Sequence, residues 1–304
     1  MQIISVKNLT KVFNANKVVN NVSFDVKKGE IFGLLGPNGA GKTTTIRMLT
    51  GVLEPTGGQV FIGDFNIQKS QLEAKQIMGI VPEMANAYLD LSAIRNLLLI
   101  GELYGIKNER RTKKAEELLK RFKLYEKRDQ KVKTFSKGMK QRVILAMALM
   151  NDSKILFFDE PTSGLDVESV RLIRNIIKEI NKEQVTILLT THNIEEANLL
   201  CDRVAIMNYG KIVAIDRPES LKNEIQSTSS VEVAFEKKVD LDKLKLKNVN
   251  RIEKVGDKLR LYTQKPKEIF PLLIEYARTT NNEIVSINTL GPSLEDVFIK
   301  LTKN

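Results

Sequence analysis

The sequence contains no tryptophan, a single cysteine and a single histidine among 304 residues, and its aromatic content is only 6%. One cysteine, Cys201, excludes an internal disulfide framework, and a small buried hydrophobe is its expected role. Within the long basic stretch Lys107–Lys131 the aromatics are limited to Phe122 and Tyr125, which argues against the stacking platform that single-stranded nucleic acid requires. Apolar runs are short as well. Val143–Met150 is among the longest, far below the roughly 18 to 20 residues of a membrane-spanning helix. The opening segment MQIISVKNLTKVF lacks the basic, apolar and small-residue order of a secretory signal. A cytoplasmic protein is therefore expected.

What the chain does have is positive charge, +11 with a pI near 9.5, and a globular balance of 42% hydrophobic and 28% charged residues. The excess suits nucleic acid, an anionic membrane face or a phosphate-rich ligand, and does not choose among them. Much of it sits in segments such as Lys107–Lys131, where Leu118, Leu119 and Phe122 make an apolar stripe; a solvated helix face accounts for the rest. Strand-like runs (Ile3–Val6, Val22–Val26, Ile31–Leu35, Gln59–Ile62, Gly79–Val81, Ile155–Phe158, Thr186–Leu189, Val204–Met207) alternate with helical periodicity, as at Val170, Ile173, Ile177 and Ile180. This order predicts an α/β fold on a mostly parallel sheet, closed by a hairpin across Val204–Ile215. At Gln226–Ser230 the composition turns to small polar residues, predicting a linker and a small carboxy-terminal α+β domain. There, Ser293 and Asp296 form a capping pattern ahead of an apolar stripe of Leu294, Val297, Phe298 and Leu301.

The strongest local signal is GPNGAGKT, Gly36–Thr43, between the apolar run IFGLL and the helical TTIRMLTG. Its glycines, Gly36, Gly39 and Gly41, let successive N–H groups point into one concavity, and a helix starting near Lys42 adds a positive dipole end. Lys42 supplies charge for the β- and γ-phosphates, and the Thr43 hydroxyl is a hard oxygen for Mg²⁺. Pro37, Asn38, Ala40 and Thr44 complete the cradle. Downstream, Ile155–Phe158 form a buried strand that ends in Asp159 and Glu160. An acid so placed beside a phosphate loop holds Mg²⁺ through its water shell, and Glu160 becomes the candidate general base. A nucleotide and Mg²⁺ are the ligands these two motifs predict.

Between these motifs lies FSKGMKQR, Phe135–Arg142, which resembles the signature of ATP-binding cassette (ABC) proteins. Ser163–Asp166 (SGLD) and Thr190–Ala197 (TTHNIEEA) resemble that family's D-loop and switch region. The resemblance covers about residues 1–225. It implies an ABC-type P-loop fold with an antiparallel β subdomain and an inserted helical subdomain at about 84–150, followed by the accessory domain at 226–304. It implies that Phe13 stacks on adenine, that His192 senses the γ-phosphate in catalysis, and that Ser136, Lys137 and Gly138 contact ATP held by an opposite subunit. Asp166 would lie at the dimer junction, and Glu83, where most members carry glutamine, would reach the metal. Lys137 and Met139 replace a glycine and a glutamine of the usual signature, a pattern similar to antibiotic and drug exporter ATPases.

The resemblance implies an ATPase that dimerises, or pairs with a second cassette, on binding ATP. It would energise separate transmembrane permease subunits from the inner face of the cell membrane, with no nucleic-acid partner. An importer ATPase, and a cassette ATPase acting on ribosomes or nucleic acid, are the alternative readings. A kinase-like P-loop enzyme is opposed by the signature segment.

Overall fold

The computed structural model describes residues 1–83, 87–224, 230–241, 244, 246–263, 265–291 and 293–302. The chain divides into two compact units, Met1–Arg217 and Pro218–Asn304. The expected linker lies outside the described residues except for Ser230, which is already buried in a strand.

The first unit holds two sheets. One is four-stranded and antiparallel in the order β2 (Asn16–Lys27), β1 (Gln2–Phe13), β4 (Gly57–Ile62) and β5 (Phe65–Asn66). Register shifts interrupt the β1–β2 ladder at several points, among them between Val6 and Leu9. The second runs β10 (Lys211–Asp216), β9 (Arg203–Asn208), β3 (Ile31–Leu35), β8 (Thr186–Thr191), β7 (Ile155–Asp159) and β6 (Met78–Val81). Only the β9–β10 hairpin is antiparallel. Every residue of β3, β7 and β8 is buried, as expected of parallel strands covered on both faces. Core residues of the two sheets meet around helix α1 (Lys42–Leu49): Ile4, Leu9 and Val60 join Leu34, Met48, Phe157 and Met207 in one apolar cluster. Phe24 and Phe32 stack there with centroids 5.2 Å apart.

Short helix α2 (Gln71–Gln76) precedes β6. Between β6 and β7 the chain builds α3 (Ala93–Leu103), α4 (Asn108–Arg121) and α5 (Lys137–Ala148), which pack on one another. The stripe of Leu118, Leu119 and Phe122 is buried, and the lysines and arginines of α4 lie mostly on its solvated side. Helix α6 (Val167–Lys182) follows β7 and buries Ile173, Ile176, Ile177 and Ile180. Its N-cap Asp166 accepts from the Ser169 N–H at 2.8 Å. Helix α7 (Ile194–Leu200) follows β8, capped by Asn193.

The second unit begins with α8 (Pro218–Glu224). Its antiparallel sheet has the order β12 (Arg251–Val255), β13 (Lys258–Tyr262), β11 (Ser230–Phe235), β14 (Ile284–Leu290). Helix α9 (Pro266–Thr279) buries Ile269 and Leu273 against Val231, Val233 and Leu261. Helix α10 (Leu294–Thr302) carries the expected cap: the Ser293 hydroxyl accepts from the Asp296 N–H, and Asp296 accepts from the Ser293 N–H. This reciprocal pair satisfies two helix-end donors.

Candidate active site

The carboxyl ends of β3, β7 and β8 converge, and the three sequence motifs meet there because the strands are neighbours. In a parallel sheet this is where a ligand crevice forms. The Gly36 N–H donates to the Thr191 carbonyl at 3.3 Å. A Cβ on Gly36 would come within 2.5 Å of the Met207 carbonyl. Gly41 has φ +99° and would bring a Cβ to 2.7 Å from the Val18 carbonyl. Glycine is thus required at both positions by close backbone approach, and at Gly41 by the left-handed dihedral too. Gly210, at the tip of the β9–β10 hairpin, donates its N–H to Ala40 (3.1 Å) while its carbonyl accepts from Asn20 (2.8 Å). The loop is therefore braced by a hairpin far along the chain. Lys42 is almost buried inside the loop, donating to the carbonyls of Gly36 (2.9 Å) and Pro37 (3.1 Å). Its ammonium also lies 3.3 Å from Glu160.

At the end of β7, Asp159 Oδ1 accepts from the hydroxyls of Thr43 (3.1 Å) and Thr190 (2.6 Å). Thr190 is opposite Asp159 in the β7–β8 register, and sequence reasoning gave it no role. Glu160 adopts φ +49°, a left-handed conformation costing a non-glycine residue about 1–2 kcal/mol. Its N–H donates to the Thr190 carbonyl (3.2 Å) and hydroxyl (3.1 Å), which hold it there. Glu160 Oε2 is 2.8 Å from His192 Nδ1. A carboxylate flanked by an imidazole and an ammonium, and itself nearly buried, is placed to receive a proton from water and pass it on.

A cavity of about 350 Å³ opens between these groups. Asn38, Gly39, Gly41, Lys42, Thr43 and Thr44 line it from the loop, and Glu83, Glu160, Ser163 and His192 line it from elsewhere. Pro37 and Ala40 shape the loop without lining the cavity. Phe13 ends β1, is 44% exposed, and has the Lys11 ammonium 5.1 Å from its ring centre; it does not line this cavity. Nor does the signature segment. Ser136 caps α5, accepting from the Met139 N–H at 3.2 Å, and Gly138 sits so tightly on Ser169 of α6 that no side chain fits. The Lys137 ammonium donates to the Ser163 carbonyl at 2.8 Å, joining the signature to the wall of its own chain's cavity. Beside this cavity lies a groove of about 670 Å³ with an apolar lining that includes Val52, Tyr88, Ile100, Tyr104 and Met147; Glu83 borders both.

Among the described residues no three or more His, Cys, Asp or Glu side chains are grouped to hold a metal ion. What the chain offers is the Thr43 hydroxyl beside the Asp159 carboxylate. That hard-oxygen pair fits Mg²⁺, which takes few protein ligands and keeps phosphate and water for the rest. Glu83 is near enough to border the cavity and does not form a three-acid cluster with Asp159 and Glu160.

A glycine-rich loop closed on a buried lysine, beside two acids at the end of a neighbouring parallel strand, is the arrangement of a P-loop nucleoside triphosphatase. Its relatives narrow this. The ABC transporter family pattern matches residues 19–163. The linearmycin resistance ATP-binding protein LnrL of Bacillus subtilis is 33% identical, with 97% of each chain covered. The Nod factor export ATP-binding protein I of Cupriavidus metallidurans is 34% identical over 99% of this chain and 97% of its own. A dimeric ATP-binding cassette solved in a post-hydrolysis state with ADP and Pi is 28% identical. It superposes with a TM-score of 0.64 over 70% of this chain and 98% of its own. The chain belongs to the ABC transporter family, as an ATP-binding and ATP-hydrolysing subunit.

Proposed function

We propose that this subunit works as a head-to-tail pair of cassettes that closes on two ATP molecules and drives export through separate permease subunits. The observation that carries the reading is the position of Ser136, Lys137 and Gly138. They do not line their own chain's phosphate cavity, yet they form the start of helix α5, capped by Ser136, an N-terminus suited to a phosphate. In a head-to-tail pair that N-terminus covers the partner's nucleotide, and Asp166 falls near the junction. Lys42 and the loop hold the β- and γ-phosphates, Phe13 the adenine, Thr43 and Asp159 the Mg²⁺. Glu160 activates water and His192 bridges it to the γ-phosphate.

Export is supported by the names of the linearmycin resistance and Nod factor export relatives. No helix among the described residues is long and apolar enough to cross a membrane, so movement of a substrate through the bilayer falls to partner subunits. The apolar groove beside Glu83 is where we dock the permease, which holds the subunit on the inner face of the membrane. A partner seated there would feel closure of the nucleotide cavity through Glu83. The test is the mass of the full chain in solution with and without Mg-ATP. A Glu160→Gln variant should pass from monomer to dimer on adding Mg-ATP, and Ser136→Glu should prevent it. A Glu160→Gln chain that stays monomeric at saturating Mg-ATP would end the sandwich reading.

A further inference from the structure

Glu196 is a charged side chain that the scheme above leaves without a task. It sits in the first turn of α7, is 1% exposed, and its Oε1 accepts from the Thr162 hydroxyl at 2.7 Å. The Glu196 N–H is bonded to the capping Asn193 side chain at 3.0 Å. Arg174 of α6 approaches from the other side. Two of its nitrogens reach Glu195 at 3.3 and 3.4 Å. Its buried Nε, with no hydrogen-bond partner among the described residues, stops 4.0 Å from Glu196. Burying a carboxylate is costly unless it is paired and hydrogen-bonded, and an apolar residue would serve helix packing equally well. The charge therefore has a use besides filling the core.

Sequence positions give the use. Thr162 lies two residues after Glu160, and Glu196 lies four after His192. The Thr162–Glu196 bond and the Glu160–His192 contact thus close a ring: the turn after β7 and the start of α7 are clasped at both ends. The ring surrounds a cavity of about 240 Å³ lined by Glu160, Thr162, Ser163, His192, Asn193 and Glu196 among others. Beyond the paired ends of β7 and β8, this bond and this contact tie the two segments together across the cavity. Glu160 also sits in a left-handed conformation that persists only when its surroundings over-determine it.

We infer that Glu196, with Thr162 and Arg174, is a positioning residue for hydrolysis. It pins the start of α7 to the Glu160 turn and so keeps His192 within hydrogen-bond reach of Glu160. The inference rests on the reading of Glu160 and His192 as the hydrolytic pair.

The test uses the full chain carrying Thr162→Val, which keeps the shape and removes the hydroxyl, and Thr162→Ser, which restores it. Glu196→Ala removes the other partner. For each, and for the same changes combined with His192→Ala, kcat and KM for Mg-ATP are measured beside the Kd of a fluorescent ATP analogue. Thr162→Val and Glu196→Ala should each lower kcat about ten-fold, the worth of one such bond, with Kd unchanged. Thr162→Ser should recover the rate. In the His192→Ala background neither change should cost anything further, because residues acting through one another are not additive. An equal loss in both backgrounds, or a lowered Tm with kcat intact, would overturn the inference while leaving the hydrolytic pair standing. A His192→Ala enzyme of normal kcat would instead remove the pair itself, and the clasp with it.

Discussion

Glu160→Gln replaces one carboxylate oxygen by an amide nitrogen at a side chain that touches both Lys42 and His192. Its first effect is on chemistry. An amide cannot take the proton of the attacking water, and losing a general base costs about 10²- to 10⁴-fold in rate, roughly 3–5 kcal/mol of barrier. The second effect is on binding and has the opposite sign. At 3.3 Å and an effective dielectric of 20, the attraction between Glu160 and Lys42 is about 5 kcal/mol. Desolvation of two nearly buried groups offsets most of it. What remains competes with the triphosphate for the same ammonium. The neutral amide ends that competition and removes a negative charge facing the γ-phosphate, so ATP should bind about ten-fold tighter, near 1.4 kcal/mol. The left-handed backbone at residue 160 is the same for Gln as for Glu, so the Tm should barely move. Phosphate release at saturating Mg-ATP and titration with a fluorescent ATP analogue read the two effects separately. A kcat within ten-fold of the wild type would refute the general-base role, and weaker ATP binding would refute the competition argument.

Lys42→Ala should abolish binding of the same analogue while the far-ultraviolet dichroism stays native, because glycine conformations and backbone bonds hold the loop even without the ammonium's two bonds to the Gly36 and Pro37 carbonyls. Glu83→Gln should shift the Mg²⁺ concentration for half-maximal ATPase if the carboxylate acts on the metal. If it acts on the permease, the isolated subunit keeps its Mg²⁺ curve and transport by the complex falls; identical curves in both assays would deny it either role. In the second unit, the hydrogen bond from Lys258 holds the Glu232 carboxyl below its usual range, helped by Arg260. A lowered folded-state pKa gives stability that is full above the ordinary carboxylate value and is lost as pH falls through the lowered one. Glu232→Gln should therefore lower that unit's stability at neutral pH, leave it little changed at acid pH, and so flatten the fall between the two.

The loop Gly36–Thr43 is legible from the sequence because one contiguous segment carries all its chemistry. Asp159 and Glu160 are legible because an apolar run marks the strand end that presents them. Thr190 is different: it bonds Asp159 only because β7 and β8 pair in one register, and no local pattern encodes that. The Thr162–Glu196 bond is hidden for the same reason, although Glu196 stands inside a segment whose histidine is conspicuous. Strands β1 and β2 run to 12 residues each, longer than the sequence pattern indicates. Their register shifts break the alternation that a period-two reading follows. The Ser293 cap of the tail is legible because it is local.

The bracing of the phosphate loop bears on how the molecule is made. Strand β3, which carries the loop, has β8 and β9 as its two partners, and Gly210 donates to Ala40 from the tip of the hairpin that β9 opens. As the chain leaves the ribosome, the GPNGAGKT segment emerges ahead of β8 and must wait first for that strand and then for the hairpin. Pairings so distant in sequence form slowly and leave apolar strand edges uncovered meanwhile. A nascent chain released before residue 210 would contain every residue we assign to the nucleotide and still lack the hairpin that braces the loop, so nucleotide should not stabilise the domain until nearly all of Met1–Arg217 has been synthesised.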